Sequence, residues 1–200
     1  MKLSDQQSDA LVEVINIAFA RAAAALSDLT GSRVLIEVPQ VAVLPIAELP
    51  AALASLIQGD VATVHQIFSG PMSGDAFMLL DYEGAVTLTG LLTEERVSTR
   101  RLDMSDQEVL TEVGNILLNA CLGMFGNLLQ VHISFSVPRM QLDSLSTLLD
   151  SLTIGTQDLR YALVIATTFR LHGSAVGGHI VIVLGVVSLD RLMRAIEDLG

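Results

Sequence analysis

Glu13 and Asn16 interrupt the apolar run LVEVINIAF, and Glu112 and Asn115 interrupt LTEVGNILL at the same spacing. A carboxylate and a carboxamide three residues apart on a helix are neighbours on one face. The amide can both donate to a water and accept from it, so it can hold that water in line with an electrophilic phosphorus. The carboxylate can pair with a lysine carried by a partner. Other chemistries find no support in the chain, which has no adjacent serine, cysteine and histidine set, no HExxH and no glycine-rich phosphate loop. His65, His132, His172 and His179 are scattered over predicted strands and turns without metal-ligand spacing. They read as structural, and no metal site is expected.

In one helix alone the polar pair would be ordinary. Glu13 and Glu112 could be solvated helix residues, and Asn16 and Asn115 could satisfy local backbone groups. Their joint recurrence argues for a role, because asparagine is a mediocre helix former with no reason to return at that place. The recurrence belongs to a longer repeat. Leu11, Glu13, Val14, Asn16 and Ile17 match Leu110, Glu112, Val113, Asn115 and Ile116, and Val38-Pro39 matches Val137-Pro138, each pair 99 positions apart.

The elements that must carry these residues follow in the same order in each half: a long helix, an extended segment through the proline, a short helix, two strands and a closing helix. In the first half the long helix covers about 5 to 29, opened by SDQQ with Ser4 and Gln7 at capping-box spacing and closed near Gly31. SRVLIEVPQVAVLP continues as a strand and IAELPAALASL as a short amphipathic helix. DVATVHQIFSG and DAFMLLD form an antiparallel pair around GPMSG, and GAVTLTGLL closes the half.

The second half opens with SDQE, placing Ser105 and Glu108 at capping-box spacing, and runs helical to about Leu129. Strands follow in VHISFSVPRM, DLRYALVIATTFRL and GGHIVIVLGVV, with the turn HGSAVGG two residues longer than its counterpart. A last helix starts at about Ser188, and TEERVSTRRLDMSD is a charged connection between the halves. The pattern predicts an α+β fold, a pseudo-two-fold duplicated module with a mainly antiparallel sheet and the two long helices packed on it. One domain, residues 1–200, would comprise repeats at about 1–98 and 99–200.

On the first helix Leu11, Ile15, Ala18, Ala22 and Leu29 make a core-facing stripe. The opposite side gathers Asp9, Glu13, Asn16, Ala20, Ala23, Ala24 and Ser27, a flat strip of small residues with polar tips. The second helix repeats the construction with Glu108, Glu112, Asn115, Asn119, Gly123 and Gly126.

At 51% hydrophobic and 16% charged residues the chain can bury a large core, which excludes long disorder. A net charge of −11 without any basic run repels phosphate backbones, and 4% aromatics with no tryptophan leaves few stacking platforms, so nucleic acid is not an expected partner. Cys121 is the only cysteine, which rules out an internal disulfide and suits buried packing in a reducing compartment. The longest apolar run, IVIVLGVVSL from Ile180, is too short to span a bilayer and reads as a buried strand. MKLSDQQSDA lacks the features of a secretory signal. Cytoplasmic location without membrane insertion is expected.

The residues match the signature of the CheC and CheX type of chemotaxis phosphatase: Asp or Ser, three residues, Glu, two residues, Asn, twenty-two residues, Pro. Asp9, Glu13, Asn16 and Pro39 fit every spacing, and Glu108, Glu112, Asn115 and Pro138 fit it again with Glu in the first place. The two-site layout resembles CheC more than the single-site CheX. The resemblance implies hydrolysis of the phosphoaspartate of a phosphorylated CheY-like response regulator. Asn16 and Asn115 would orient the attacking water, and Glu13 and Glu112 would engage the regulator's lysine. Asp9, Ala20, Glu108 and Asn119 would line the docking surface. The chain would need no cofactor of its own, since Mg2+ belongs to the regulator. The resemblance also allows a CheD-type deamidase as partner. Gly114 keeps the family's usual glycine before the asparagine, whereas Ile15 replaces it in the first helix, so the second site matches the family better.

Two other readings stay open on sequence: an adaptor that binds a phosphorylated regulator or a CheD-type deamidase without catalysis, and a structural protein whose polar pairs are idle. Because an internal duplication can stand in for a homodimer, a monomer is favoured.

Overall fold

In the computed structural model the described residues are 3–93, 101–153 and 160–198. Helix α1 (Asp5–Thr30) begins where Ser4 Oγ accepts from the Gln7 N–H and the Gln7 side chain accepts from the Ser4 N–H. It ends at Gly31, whose φ of 68° is the left-handed conformation that favours glycine. β1 (Leu35–Ile36) and β2 (Gln40–Pro45) follow, then α2 (Leu49–Leu56), β3 (Asp60–Ser69), β4 (Gly74–Asp81) and α3 (Tyr82–Leu92). The second half repeats the series as α4 (Met104–Leu128), β5 (Ser134–Phe135), β6 (Arg139–Ser144), α5 (Leu145–Thr153), β7 (Arg160–Leu171), β8 (Ser174–Gly185) and α6 (Val186–Glu197).

Three local expectations need correction. The segment through each proline is two short strands, not one, because Pro39 and Pro138 have no N–H for the ladder and stand immediately before β2 and β6. Helix α4 is capped by Asp103 and Asp106, which exchange backbone-to-carboxylate hydrogen bonds of 2.9 and 3.0 Å, and not by Ser105 and Glu108. The box lies two residues upstream, so Glu108 is freed from capping and is exposed. Asp103→Ala is therefore expected to cost about 1 kcal/mol in urea unfolding, while Ser105→Ala changes the midpoint little. Finally, the last hairpin closes through a tight turn at His172-Gly173, both with positive φ (50° and 81°), and SAVGG belongs to β8 rather than to a long turn. The apolar run from Ile180 leaves its strand at Gly185 and turns helical at Val186.

Register shows where the extra residues of the second half lie. Gln40 faces Ala166 and Arg139 faces His65, so Ala166 is the counterpart of His65, two positions later than the repeat of 99 predicts. Those two residues precede β7, and only one more enters in the hairpin, since Ala76 and Gly178 hold equivalent places opposite Gln66 and Thr167. Half of the expected connection TEERVSTRRLDMSD, residues 94–100, and the start of DLRYALVIATTFRL at 158–159 lie outside the described residues, while the end of that connection from Met104 on already belongs to α4.

All strand pairs are antiparallel, and the sheet reads the same from either end: β1 and β2 on β7, then β8, β4 and β3, with β5 and β6 on its far side. Met78 and Ile180, equivalent residues of β4 and β8, face each other at the centre. The halves exchange strands: β2 of the first half pairs with β7 of the second, and β6 of the second with β3 of the first. An ion pair between Glu37 and Arg170 crosses the same seam and lowers the Glu37 pKa, chiefly through the hydrogen bond from the guanidinium.

The two sheet faces bury separate cores. Alternate residues such as Val64, Met78, Ile165 and Ile182 meet α1, α3, α4 and α6, while Val61, Phe77, Leu79, Val164 and Val181 lie under α2 and α5. Phe19 and Phe125, on α1 and α4, are fully buried in the first core. By length and composition α1 and α4 are apolar enough to cross a membrane, but here 39% and 50% of their most apolar windows are buried within the fold.

Candidate functional site

Helices α1 and α4 lie side by side on the sheet and run in opposite directions. Arg21 reaches the Met124 sulfur at 3.2 Å near their crossing, while Leu26, Leu29 and Thr30 from the end of α1 share a groove with Glu108, Val109, Glu112 and Val113 from the start of α4. The Glu/Asn pairs therefore stand at opposite ends of the helix pair. Glu13 and Glu112 are exposed, and Asn16 and Asn115 are half-buried beside them. Asp9, Ala20 and Glu108 are exposed on the same strips, and Asn119 is half-buried. Each set predicted from the sequence thus lies together on its own helix face.

Three positions differ from the helical-wheel reading. Leu29 is 61% exposed instead of core-facing, because it sits in the last turn of α1 beside the groove near Glu112. Ala23 is buried, since α1 packs on a second helix as well as on the sheet. Gly126 is buried under the chain that follows α4, where a Cβ would come 3.1 Å from the Val131 carbonyl oxygen.

The position before each asparagine sets the depth of its helix. A Cβ on Gly114 would lie 2.6 Å from Val64 Cγ1, so the α4 backbone rests directly on β3. At the equivalent place in α1 the Ile15 side chain is 0% exposed. Its bulk is taken up inside the core and leaves Glu13 and Asn16 on the outer face.

Two features of the second site were not read from the sequence. One is the groove itself, about 380 Å³, whose wall beyond α1 and α4 is Leu92 and Thr93 at the end of α3. Residues from three distant segments meet there, and no local signal announces that. The other is a hydrogen bond of 2.8 Å from Asn119 Nδ2 to Asn115 Oδ1. The four-residue spacing of the two asparagines was the available clue.

The histidines with described partners lie away from these strips. His65 stacks on Phe77 with ring centroids 4.4 Å apart and pairs with Asp75 at 2.9 Å on the sheet face opposite α1 and α4. His179 faces the same side, and burial lowers its pKa against the opposing pull of Asp81. Since the folded protein resists this proton, the unfolded chain takes it up first as pH falls below about 6.5. Stability should drop over that window, and His179→Gln should flatten the drop in melting temperature between pH 7.5 and 5. Cys121 is fully buried and its thiol pKa is pushed up to about 12 by desolvation, which suits packing and not nucleophilic chemistry. Among the described residues no group of three or more His, Cys, Asp or Glu side chains is arranged to hold a metal.

No protein-family model matches the chain. Among solved structures, FliY from Thermotoga maritima is similar over 99% of both chains, with a TM-score of 0.77 and 18% identity. A chain of the FliG-FliM complex from H. pylori gives 0.68 at 13% identity, over 96% of this chain and 100% of that one. The FliM middle domain from Vibrio alginolyticus gives 0.65 at 12% identity, over 92% and 99%. At these identities the likeness is one of fold: the chain has the architecture of FliY and of the FliM middle domain over nearly its whole length.

Proposed function

We propose that the chain is a CheC-like phosphatase with two sites, acting in the cytoplasm on the phosphoaspartate of a CheY-like response regulator. The observation that carries this reading is the doubled Glu/Asn pair, Glu13 with Asn16 and Glu112 with Asn115, each on the open face of a long helix. In this reading a regulator lays its phosphorylated pocket over one end of the helix pair. The glutamate pairs with the regulator's lysine, and the asparagine amide enters beside the phosphoryl group and holds a water opposite the leaving carboxylate. Attack at phosphorus releases inorganic phosphate and restores the aspartate. The gain comes from positioning, without a covalent enzyme intermediate. Mg2+ stays on the regulator, and the duplicated chain works as a monomer.

Small residues around each pair, Ala20 and Ala24 on α1 and Gly123 on α4, let another protein approach the helix backbone. The fold shared with FliY agrees with the resemblance read from the signature. A second reading, a non-catalytic adaptor, draws on the weaker but still nearly full-length likeness to FliM, one example of which was solved in complex with FliG. Decay of a phosphorylated CheY-type regulator, followed with and without the chain, separates the two. Acceleration supports the phosphatase, and binding with an unchanged decay rate supports the adaptor. The resemblance allows a CheD-type deamidase as a partner under either reading.

A further inference from the structure

Resting on the phosphatase reading, we infer that Asn119 is a positioning residue that holds the Asn115 amide in its working orientation, leaving the second site preorganised and the first site not. Asn119 lies one helical turn beyond Asn115 and donates from Nδ2 to Asn115 Oδ1 at 2.8 Å. A carboxamide oxygen has two lone pairs. The tether takes one, so the other lone pair and both N–H groups of Asn115 remain for a water. It also removes the rotation that an untethered surface amide must give up when a substrate arrives, which is the entropic part of positioning.

The arrangement is unfavourable for Asn119 itself. Its Oδ1 is sealed from solvent and accepts no hydrogen bond among the described residues. A buried acceptor without a partner costs stability that an alanine would not. Turning both amides over would keep a hydrogen bond between them but seal an N–H2 with two unpaired donors in place of one oxygen, which assigns the donor to Asn119. The repeat supplies the internal control: the residue equivalent to Asn119 in α1 is Ala20, exposed and without any group to hold Asn16.

The test isolates the second site in an Asn16→Ala background and measures the maximal rate and half-saturating concentration for a phosphorylated CheY-type regulator. Adding Asn119→Ala should lower the maximal rate by about tenfold and leave half-saturation nearly unchanged, with a melting temperature no lower than that of the Asn16→Ala parent. An unchanged maximal rate, or a fall that merely tracks the melting temperature, overturns the positioning role. In the reverse direction, Ala20→Asn in an Asn115→Ala background should raise the maximal rate of the first site several-fold, and no rise overturns the claim that the tether separates the two sites. An NMR correlation through the hydrogen bond from Asn119 Nδ2 to Asn115 Cγ needs no substrate, and its absence overturns the tether directly. If the Asn16→Ala and Asn115→Ala proteins and the unmodified chain all leave decay at its intrinsic rate, the phosphatase reading fails and the catalytic role with it, while the NMR result still decides on the tether.

Discussion

Replacing Asn16 and Asn115 together by alanine should return the decay of a phosphorylated CheY-type regulator to its intrinsic rate, the largest functional loss expected from two substitutions in this chain. Neither asparagine is fully buried, so their removal should change folding stability by about 0.5 kcal/mol or less and leave the circular dichroism intact. The loss should be catalytic: without the amide, water must find its own line of attack, and positioning effects of this kind reach about a hundredfold in rate. The single variants should be unequal, Asn115→Ala removing the greater part of the acceleration, because only the second site has a held amide. Full activity in the double variant would sink the phosphatase reading.

Gly114→Ile should be strongly destabilising although it only copies the residue that stands at the equivalent place in α1. A Cβ alone would enter the shell of Val64, 2.6 Å from one methyl and 2.7 Å from its Cβ, and an isoleucine adds a branched chain to that collision. Overpacking of this size costs about 3 kcal/mol or more, against a gain in helix propensity of less than 1 kcal/mol. For a chain of this length about 2–4 °C are lost per kcal/mol, so the melting temperature should fall by roughly ten degrees. Val64→Ala in the same background should recover part of the loss, and a melting temperature unmoved by Gly114→Ile would show that α4 does not rest on β3. The opposite swap does not repair the first helix. Ile15 is wholly enclosed, and Ile15→Gly would leave a cavity, costing about 3–5 kcal/mol.

The parts of the architecture that are local in physics were legible in the sequence. Ser4 with Gln7 and Gly31 marked both ends of α1 because caps are written in adjacent residues. Short apolar stretches around the turn GPMSG marked β3 and β4, but the alternation expected of them is nearly absent, because the sheet is covered on both faces and both sets of side chains are buried. The repeat of 99 placed Glu13, Asn16, Glu112 and Asn115 on equivalent faces. What was missed depends on choices among near-equal local options or on distant neighbours. Both Ser105-Glu108 and Asp103-Asp106 satisfy the capping spacing, and only the chain's path decides between them. HGSAVGG is rich in turn formers, yet two residues suffice once β7 and β8 pair along twelve positions each. Leu29 looked like core because a wheel assumes one flat partner, whereas the last turn of α1 runs past the packing to the rim of a groove.

The exchange of β2 and β6 between halves also bears on how the chain is made. As the protein leaves the ribosome, β1 and β2 emerge more than a hundred residues before β7, the strand on which they pair. Helix α4 is likewise made after β3 and β4, which it covers. The first repeat alone thus has apolar strands and no finished sheet, and the second has the same deficit. Long-range pairing of this kind folds slowly and is exposed to aggregation until it closes. Nascent chains should stay open to chaperones until most of β7 and β8 has been synthesised. Separately produced repeats should become protease-resistant only when mixed, each acting as the template on which the other completes itself.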